Sequence, residues 1–383
     1  MVVYLDYAAT TPPFKQVTEV VTEVMEKYFG NPSSLHRLGM EAERLLERSR
    51  EVHAGLLQVK ADQIVFTSGG TESNNLAVKG TAFKYQNRGK HLVTTQIEHA
   101  CVYESFRQLQ SFGFDVTYVK PDEQGIVHLE DIQRAVRPDT ILVSVMHVNN
   151  ETGAIQPIEA IGKWLKAQHK ILFHVDAVQS VGKLPIAIND WGIDLLSMSA
   201  HKINGPRGTG ILVKKSSMEL EPLMSGGGQE MGFRSGTENV AAIVGMAKAL
   251  RMTLDGREVH TKRMAVQRER IKNAIQQIPE LILNGPEEPE HCAPHIINFS
   301  FPGMKSEVVL HALEKHGFYV SSRSACSSSD SRPSRVLEAM GLSRARAASG
   351  IRISLGANTM DEEISELIQK IEQTVTELKP QMI

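Results

Sequence analysis

Two side chains in this 383-residue chain could do covalent chemistry, an amine and a thiol, and each sits in an unusual local setting. Lys202 follows the apolar run 194–198 and opens into the glycine- and proline-rich stretch SAHKINGPRGTG at 199–210. Such a segment cannot continue as regular structure, so the amine is held at a strand end beside closely approaching backbone. An amine placed that way is a candidate Schiff-base lysine; the plainer reading is a surface lysine at a strand end. Cys326 lies in SSRSACSSSDSRPS, a run of small polar residues without periodicity, which predicts a mobile loop over about 321–335. A thiol on such an arm suits a travelling nucleophile; the plainer reading is an incidental loop cysteine.

Further polar residues follow predicted strands. His99 comes after the run 92–96, Asn150 after 141–147, and Asp176 directly after 171–175. Strand C-termini converge on the crevice of an α/β sheet, which would gather these side chains around Lys202. A strand at 63–67, the glycine-rich turn SGGTESNN and a helix over 76–85 add backbone N–H groups and a positive helix end, making Gly70 and Thr71 candidates for a phosphate. The turn lacks the Gly-Lys-Ser/Thr ending of a nucleotide-triphosphate loop. A lysine, a carboxylate to keep a ring nitrogen protonated, a group on the ring face and an anion cradle are the parts that pyridoxal 5'-phosphate requires. In that scheme Asp176 pairs with the ring nitrogen, since a lone buried carboxylate is costly, and Gln179 meets the ring hydroxyl. Each has a bland alternative: helix caps at Asp176 and His99, and a capping turn at Gly70.

The elements that must position these groups read as a doubly layered α/β chain. Strands are expected at 92–95, 115–119, 141–145, 171–175, 195–198 and 210–213, with helices at 14–28, 37–57, 100–112, 129–136 and 157–168 and a short one at 177–181. This predicts a mostly parallel sheet covered by helices. A glycine-rich loop at 225–237 precedes a long helical stretch, 239–278, which leads into a smaller α+β unit with strands at 296–301 and 351–354 and helices at 307–316 and 361–378. The expected division is a large cofactor-binding domain over 15–255 and a small domain of 1–14 and 256–383 that carries the cysteine loop. The Glu- and Arg-rich helix 37–57 is expected to turn most of its charges to solvent.

Composition narrows the function classes. A net charge of −2 gives no whole-protein attraction to nucleic acid or to an anionic membrane, so a small ligand is expected. Three cysteines, Cys101, Cys292 and Cys326, are too few and too far apart for a disulfide framework or a CxxC metal site; no metal is expected. The N-terminus MVVYLDYAATTPP has no signal-peptide pattern and no run approaches a membrane span, which points to the cytoplasm. Cys101, two residues after His99, is read as a packed thiol on the following helix rather than as half of a Cys-His pair.

The segments LDYAATTP, NPSSLH, TSGGTESNN, EH, HVNNETG, HVDAVQSVGK, SAHKINGPRGTG, GGGQE with RSGTEN, and SRSACSSS resemble the cysteine desulfurases of the IscS and NifS kind, class-V aminotransferase-family enzymes of fold type I that use pyridoxal phosphate. The likeness runs nearly end to end, with the motifs in the family's order. It implies that Lys202 carries the cofactor, that Ser199, His201, Gly70 and Thr71 bind its phosphate, and that Thr237 reaches that phosphate from the neighbouring subunit of a homodimer with a shared site. It places His99 on the ring face, Asp176 on the ring nitrogen, and Gln179 and Asn150 around the ring's polar edge. It implies L-cysteine as substrate, Arg352 on its carboxylate, Asn31 and His36 at the entrance, and Cys326 as the thiol that takes its sulfur, with a separate protein as acceptor in iron-sulfur, thio-cofactor or thio-tRNA synthesis. His99 would move protons at the substrate thiol or at Cys326.

The chain departs from the family at Arg323, where glycine is common, and at Arg332, where an acidic residue is frequent. It also ends soon after its last predicted helix, without the tail some members use to dock a scaffold, so a dedicated acceptor is expected. Two other readings stay open: a selenocysteine lyase or another β-eliminating enzyme on the same fold, and a non-catalytic sulfur carrier or scaffold subunit.

Overall fold

The computed structural model describes residues 2–168, 170–322 and 333–381. Cys326, Arg323 and Arg332 lie outside the described residues.

The strands run, in chain order, β1 (Val3–Tyr4), β2 (Ile64–Thr67), β3 (His91–Thr95), β4 (Asp115–Val119), β5 (Thr140–Met146), β6 (Leu172–Asp176), β7 (Leu195–Ser199), β8 (Gly210–Lys214), β9 (Ile282–Asn284), β10 (Ile296–Ser300), β11 (Phe318–Tyr319) and β12 (Gly350–Ser354). Seven form one sheet in the order β2-β8-β7-β6-β5-β3-β4. The pairs from β7 to β4 are parallel, and only β8 runs antiparallel to its neighbours β2 and β7. Every residue of β2, β3, β5, β7 and β8 is buried, as expected of a sheet covered on both faces, whose strands read as continuous apolar runs. Because β3, β5, β6 and β7 are parallel, the chain leaves all four at the same edge of the sheet, and the predicted site residues follow from that single fact.

A second core lies apart from the sheet. Here β12-β10-β9 form an antiparallel sheet, and β1 pairs in parallel with β11. Leu5, Ile271, Phe299, Phe301, Ile353 and Ile364 share its apolar cluster, so the extreme N-terminus packs with the C-terminal third. The two-residue β11 and three-residue β9 carry no periodic signal, and sequence reading passes over them.

Three elements differ from expectation. The helix after β2 begins at Gly70, not at residue 76: Gly69, at φ 150°, turns the chain directly into Gly70–Asn75, and a π-helical turn at Leu76–Gly80 carries it on into Thr81–Tyr85. The stretch 239–278 is two helices, Val240–Asp255 and Arg257–Gln276, joined at Gly256, the residue with least to gain from staying helical. Residues 178–183 form turns rather than the short helix expected after Asp176.

Candidate active site

Lys202 ends a single 3-10 turn, Ala200–Lys202, immediately after β7. Its amine donates to the carbonyl oxygens of Ala8, at 2.5 Å, and Ala9, at 2.7 Å. The N-terminal LDYAATTP segment therefore forms a wall of the site. The same segment receives the Gln179 amide, at 2.9 Å from Ala8 O, and Thr10 Oγ1 lies 3.2 Å from His201 Nδ1.

These groups line one cavity of about 520 Å³. Of the predicted site residues it brings together Gly70, Thr71, His99, Asn150, Asp176, Gln179, Ser199, His201, Lys202 and Arg352. Asp176, the last residue of β6, is buried; its Oδ2 accepts from Asn74 Nδ2 at 2.7 Å and its Oδ1 from the Val178 N–H at 3.0 Å. Burial raises its pKa, outweighing the neutral donors and the more distant positive charge of Lys202, which lower it. His99 caps the helix Ala100–Ser111, Nδ1 accepting from the Cys101 N–H. Burial, assisted by the positive charge of Lys202, lowers its pKa to about 4, so the imidazole is neutral. His201 is lowered to about 4 for the same two reasons. Gly70 packs where a Cβ would meet Val178 Cγ2 at 2.8 Å, so only glycine brings this helix end so close to β7 and the turn after β6.

Arg352, on β12, is fully buried rather than an exposed strand arginine. It donates to the Asn150 carbonyl at 2.8 Å and to Asp6 Oδ1 at 2.7 Å, while its Nε has no partner among the described residues. A guanidinium brought in from the C-terminal core thus completes the cavity formed at the edge of the main sheet.

The cavity does not include Thr237, Asn31 or His36. Thr237 lines a neighbouring cavity of about 200 Å³ that shares Ser68 and Gly208 with the first. Asn31 and His36 lie exposed on the approach to the helix Arg37–Leu57, Asn31 Oδ1 accepting from the Ser33 N–H and His36 Nδ1 capping the helix through Gly39. In the single chain neither lines the cavity.

Sequence reasoning missed Asn74, Asp6 and Cys101. Asn74 sits four residues past Gly70, on the helix face that follows the phosphate turn, a spacing that could have marked it. Cys101 corrects an expectation: its sulfur lies 3.0 Å from His99 Nδ1 and on the cavity wall, since the second residue of a helix is within reach of the capping side chain. Burial pushes its thiol up to about 12. Cys292 is buried, with its thiol against the carbonyls of Pro286 and Glu288.

An amine, a buried carboxylate with no cation in hydrogen-bond contact among the described residues, a neutral imidazole and a glycine-opened helix end fit pyridoxal phosphate, whose protonated ring nitrogen would supply such a partner. The comparisons agree with that fit. The family model for aminotransferase class-V matches residues 3–367. The chain belongs to this family. Within it, the cysteine desulfurase IscS of Escherichia coli is 45% identical over 382 residues, covering 98% of this chain and 93% of the relative. The solved structure of a NifS-like protein superposes with a TM-score of 0.92 at 37% identity, covering 99% of this chain and all of the other. A structure described as SspA in complex with cysteine gives 0.81 at 38% identity over 93% of this chain and 99% of that one. As in these relatives, the fold is fold type I. Among the described residues no group of side chains could hold a metal, and no helix is long and apolar enough to cross a membrane.

Proposed function

We infer that this class-V family member is a pyridoxal-phosphate-dependent cysteine desulfurase, which takes sulfur from L-cysteine, releases L-alanine and retains the sulfur as a persulfide on Cys326. The observation that carries the reading is the meeting of Lys202, Asp176, His99 and the Gly70–Thr71 helix end in one cavity, with Arg352 at its wall.

Pyridoxal phosphate, when bound, supplies a carbonyl carbon for an amine and a ring that takes up electrons released from the substrate's Cα. Gly70, Thr71, Ser199, His201 and the partner subunit's Thr237 hold its phosphate. Asp176 would keep the ring nitrogen protonated, and Gln179 and Asn150 would hold the ring's polar edge. Arg352 binds the carboxylate of cysteine. Lys202, whose amine lies in the cavity, would remove the proton from Cα. His99, neutral and with its proton on Nε2, moves a proton at the departing sulfur. Cys326 as thiolate attacks that sulfur: an S–S bond forms as the Cβ–S bond breaks, and the carbon fragment regains protons to leave as alanine. Overall, cysteine and the Cys326 thiol become alanine and the Cys326 persulfide.

The segment that carries Cys326 emerges beside the cavity at both ends, which supports its assignment. On one side the Ser321 backbone pairs with Arg352, and on the other Ser334 Oγ donates to Glu151 Oε2, next to Asn150. A homodimer with a shared site accounts for Thr237 lying outside the main cavity, and for exposed Phe29 and Leu35, 71% and 94% accessible, beside Asn31 and His36. A second apolar core drawn wholly from 1–14 and 256–383, together with the break at Gly256, supports a division into 15–255 and 1–14 with 256–383, with Val336, Leu337, Met340 and Ala347 of the small domain packing into the large core. The cytoplasm is the proposed location and a dedicated sulfur-acceptor protein, feeding iron-sulfur, thio-cofactor or thio-tRNA synthesis, the proposed partner.

The test is direct. The purified protein should be yellow, release alanine from cysteine, and yield a Cys326 persulfide trapped by alkylation and found by mass spectrometry. Cys326→Ala should abolish alanine release. If the variant keeps full turnover, the enzyme is a lyase; if no pyridoxal phosphate is bound, the protein is a carrier.

A further inference from the structure

The wall of the site holds a hydrogen-bonded chain that the reaction above leaves unused. Asn74 is buried, and its single amide nitrogen serves two acceptors: Asp176 Oδ2 at 2.7 Å and Cys101 Sγ at 3.2 Å. Cys101 Sγ lies 3.0 Å from His99 Nδ1, which also accepts the Cys101 backbone N–H at 3.3 Å. With both Asn74 amide protons taken, the sulfur is an acceptor toward Asn74 and has its own proton to give. Beside it lie the Thr71 side chain and His99 Nδ1, and the latter is an acceptor because it already receives the Cys101 N–H. Asn74 thus donates to Asp176 and to Cys101, and because a nitrogen that accepts a backbone N–H carries no proton, any hydrogen bond between thiol and ring runs from Cys101 S–H to His99.

We propose that Cys101 and Asn74 are positioning residues that hold His99 in the tautomer with its proton on Nε2 and tie its ring to the carboxylate of Asp176. Two donors at Nδ1, one from backbone and one from the thiol, keep that nitrogen deprotonated and fix the ring plane about the Cβ–Cγ bond. Nε2–H is then the proton offered to the cavity. The backbone N–H alone would cap the helix but leave the ring free to tilt; the thiol supplies the second point of attachment. Asn74 in turn prevents Cys101 from swinging away, and its own orientation is dictated by Asp176, because turning the amide would place its oxygen against a carboxylate. Residues at the ring nitrogen and at the ring face, read separately in the proposed function, form one unit.

The consequence for turnover rests on that reading of His99; the tautomer itself does not, so the experiment reads the tautomer first. In holoenzyme with 15N-labelled histidine, the His99 signals, assigned by their loss in His99→Asn, should show a protonated Nε2 and an unprotonated Nδ1. Finding the proton on Nδ1 in the unaltered enzyme would overturn the proposal without any variant having to fold. In Cys101→Ala the His99 signals should become a mixture of tautomers and kcat should fall about three- to tenfold, the usual worth of one hydrogen bond, with KM within about twofold. Cys101→Ser, which restores a donor and an acceptor, should return both the single tautomer and most of the rate. Unchanged His99 signals in Cys101→Ala, or a serine variant no better than alanine, would reduce Cys101 to packing. If the histidine signals change as expected while kcat does not, the positioning is real and the catalytic reading of His99 is what fails.

Discussion

Under the proposed function Asp176 and His99 each perform two tasks with separate atoms, and this explains why bland and functional readings of both residues were available in the sequence. Asp176 Oδ1 receives the Val178 N–H and opens a turn, as a cap would, while Oδ2 is aligned by Asn74. His99 caps through Nδ1, which leaves Nε2 for a ligand. The capping bonds do not compete with chemistry; they orient it. Asp176 makes the sharper prediction because its carboxylate is buried among neutral donors and its pKa is raised, so charge there is sustained only by a cationic neighbour. Asp176→Asn keeps the volume and removes the charge. The variant should still take up pyridoxal phosphate, since the phosphate contacts lie elsewhere, but lose alanine formation by on the order of a hundredfold. The bound cofactor's absorption should also lose the pH-independence a protonated ring confers. Near-normal turnover would mean that the carboxylate serves the turn alone.

Among the elements, the loop before the helix Val240–Asp255 shows what local pattern cannot disclose. Helix Arg37–Leu57 reads as charged and solvated, and most of it is, yet Arg50 is buried and forked onto Glu230 at 2.8 and 2.9 Å. Glu230 also accepts the Phe66 N–H at 2.7 Å, and Arg50 reaches the Ile64 carbonyl at 2.9 Å, so the pair clamps the loop to the edge strand β2. The partner stands 180 residues away, and no periodicity announces it. Glu230 and Met231 both hold left-handed backbone, φ 49° and 56°, a strain that persists only because the ion pair overdetermines the turn. Arg50→Ala strands a buried carboxylate and should cost about 3–5 kcal/mol in urea unfolding. Glu230→Gln combined with Arg50→Met should recover much of that. The single variant should also weaken cofactor binding, because the same loop carries Thr237. Equal losses for the single and double variants would show that the pair contributes packing only.

Over the whole molecule, what was legible in the sequence was whatever repeats or punctuates locally: the β/α alternation, the strand ends and the glycine turn, hence the fold and the cavity residues Gly70, Thr71, His99, Asn150, Asp176, Gln179 and Lys202, whereas Ser199, His201 and Arg352 came from the family resemblance. What was not legible depends on contacts between distant segments, such as the N-terminal carbonyls on Lys202, Asp6 on Arg352, and the β1–β11 pair. Buried titratable groups belong to the same class, since burial is a property of the assembled molecule, and they govern its response to acid. His53, His147 and His174 are buried, and desolvation lowers them to about 4, 4 and 3; His295 is pushed well below its usual range. His174 is satisfied as a neutral ring by Ser144 at 2.8 Å and Ser197 at 3.0 Å, stitching β5, β6 and β7 together. Between the unfolded value near 6.5 and the folded value near 4, only the unfolded chain takes up these protons, so stability falls as pH falls through that window. Glu98 opposes this: raised by burial to about 8, it is protonated in the folded chain and ionised in the unfolded chain from about 4.5 upward, so its contribution is lost as pH rises toward 8. These four histidines, with His99 and His201, outweigh the opposing Glu98 and Asp176, and the melting temperature should drop by about 5 °C between pH 7 and pH 5. His174→Asn, which cannot be protonated there, should shrink that drop while lowering the melting temperature at pH 7. A melting temperature that stays level from pH 7 to 5 would mean that these rings titrate in the folded protein near their usual value.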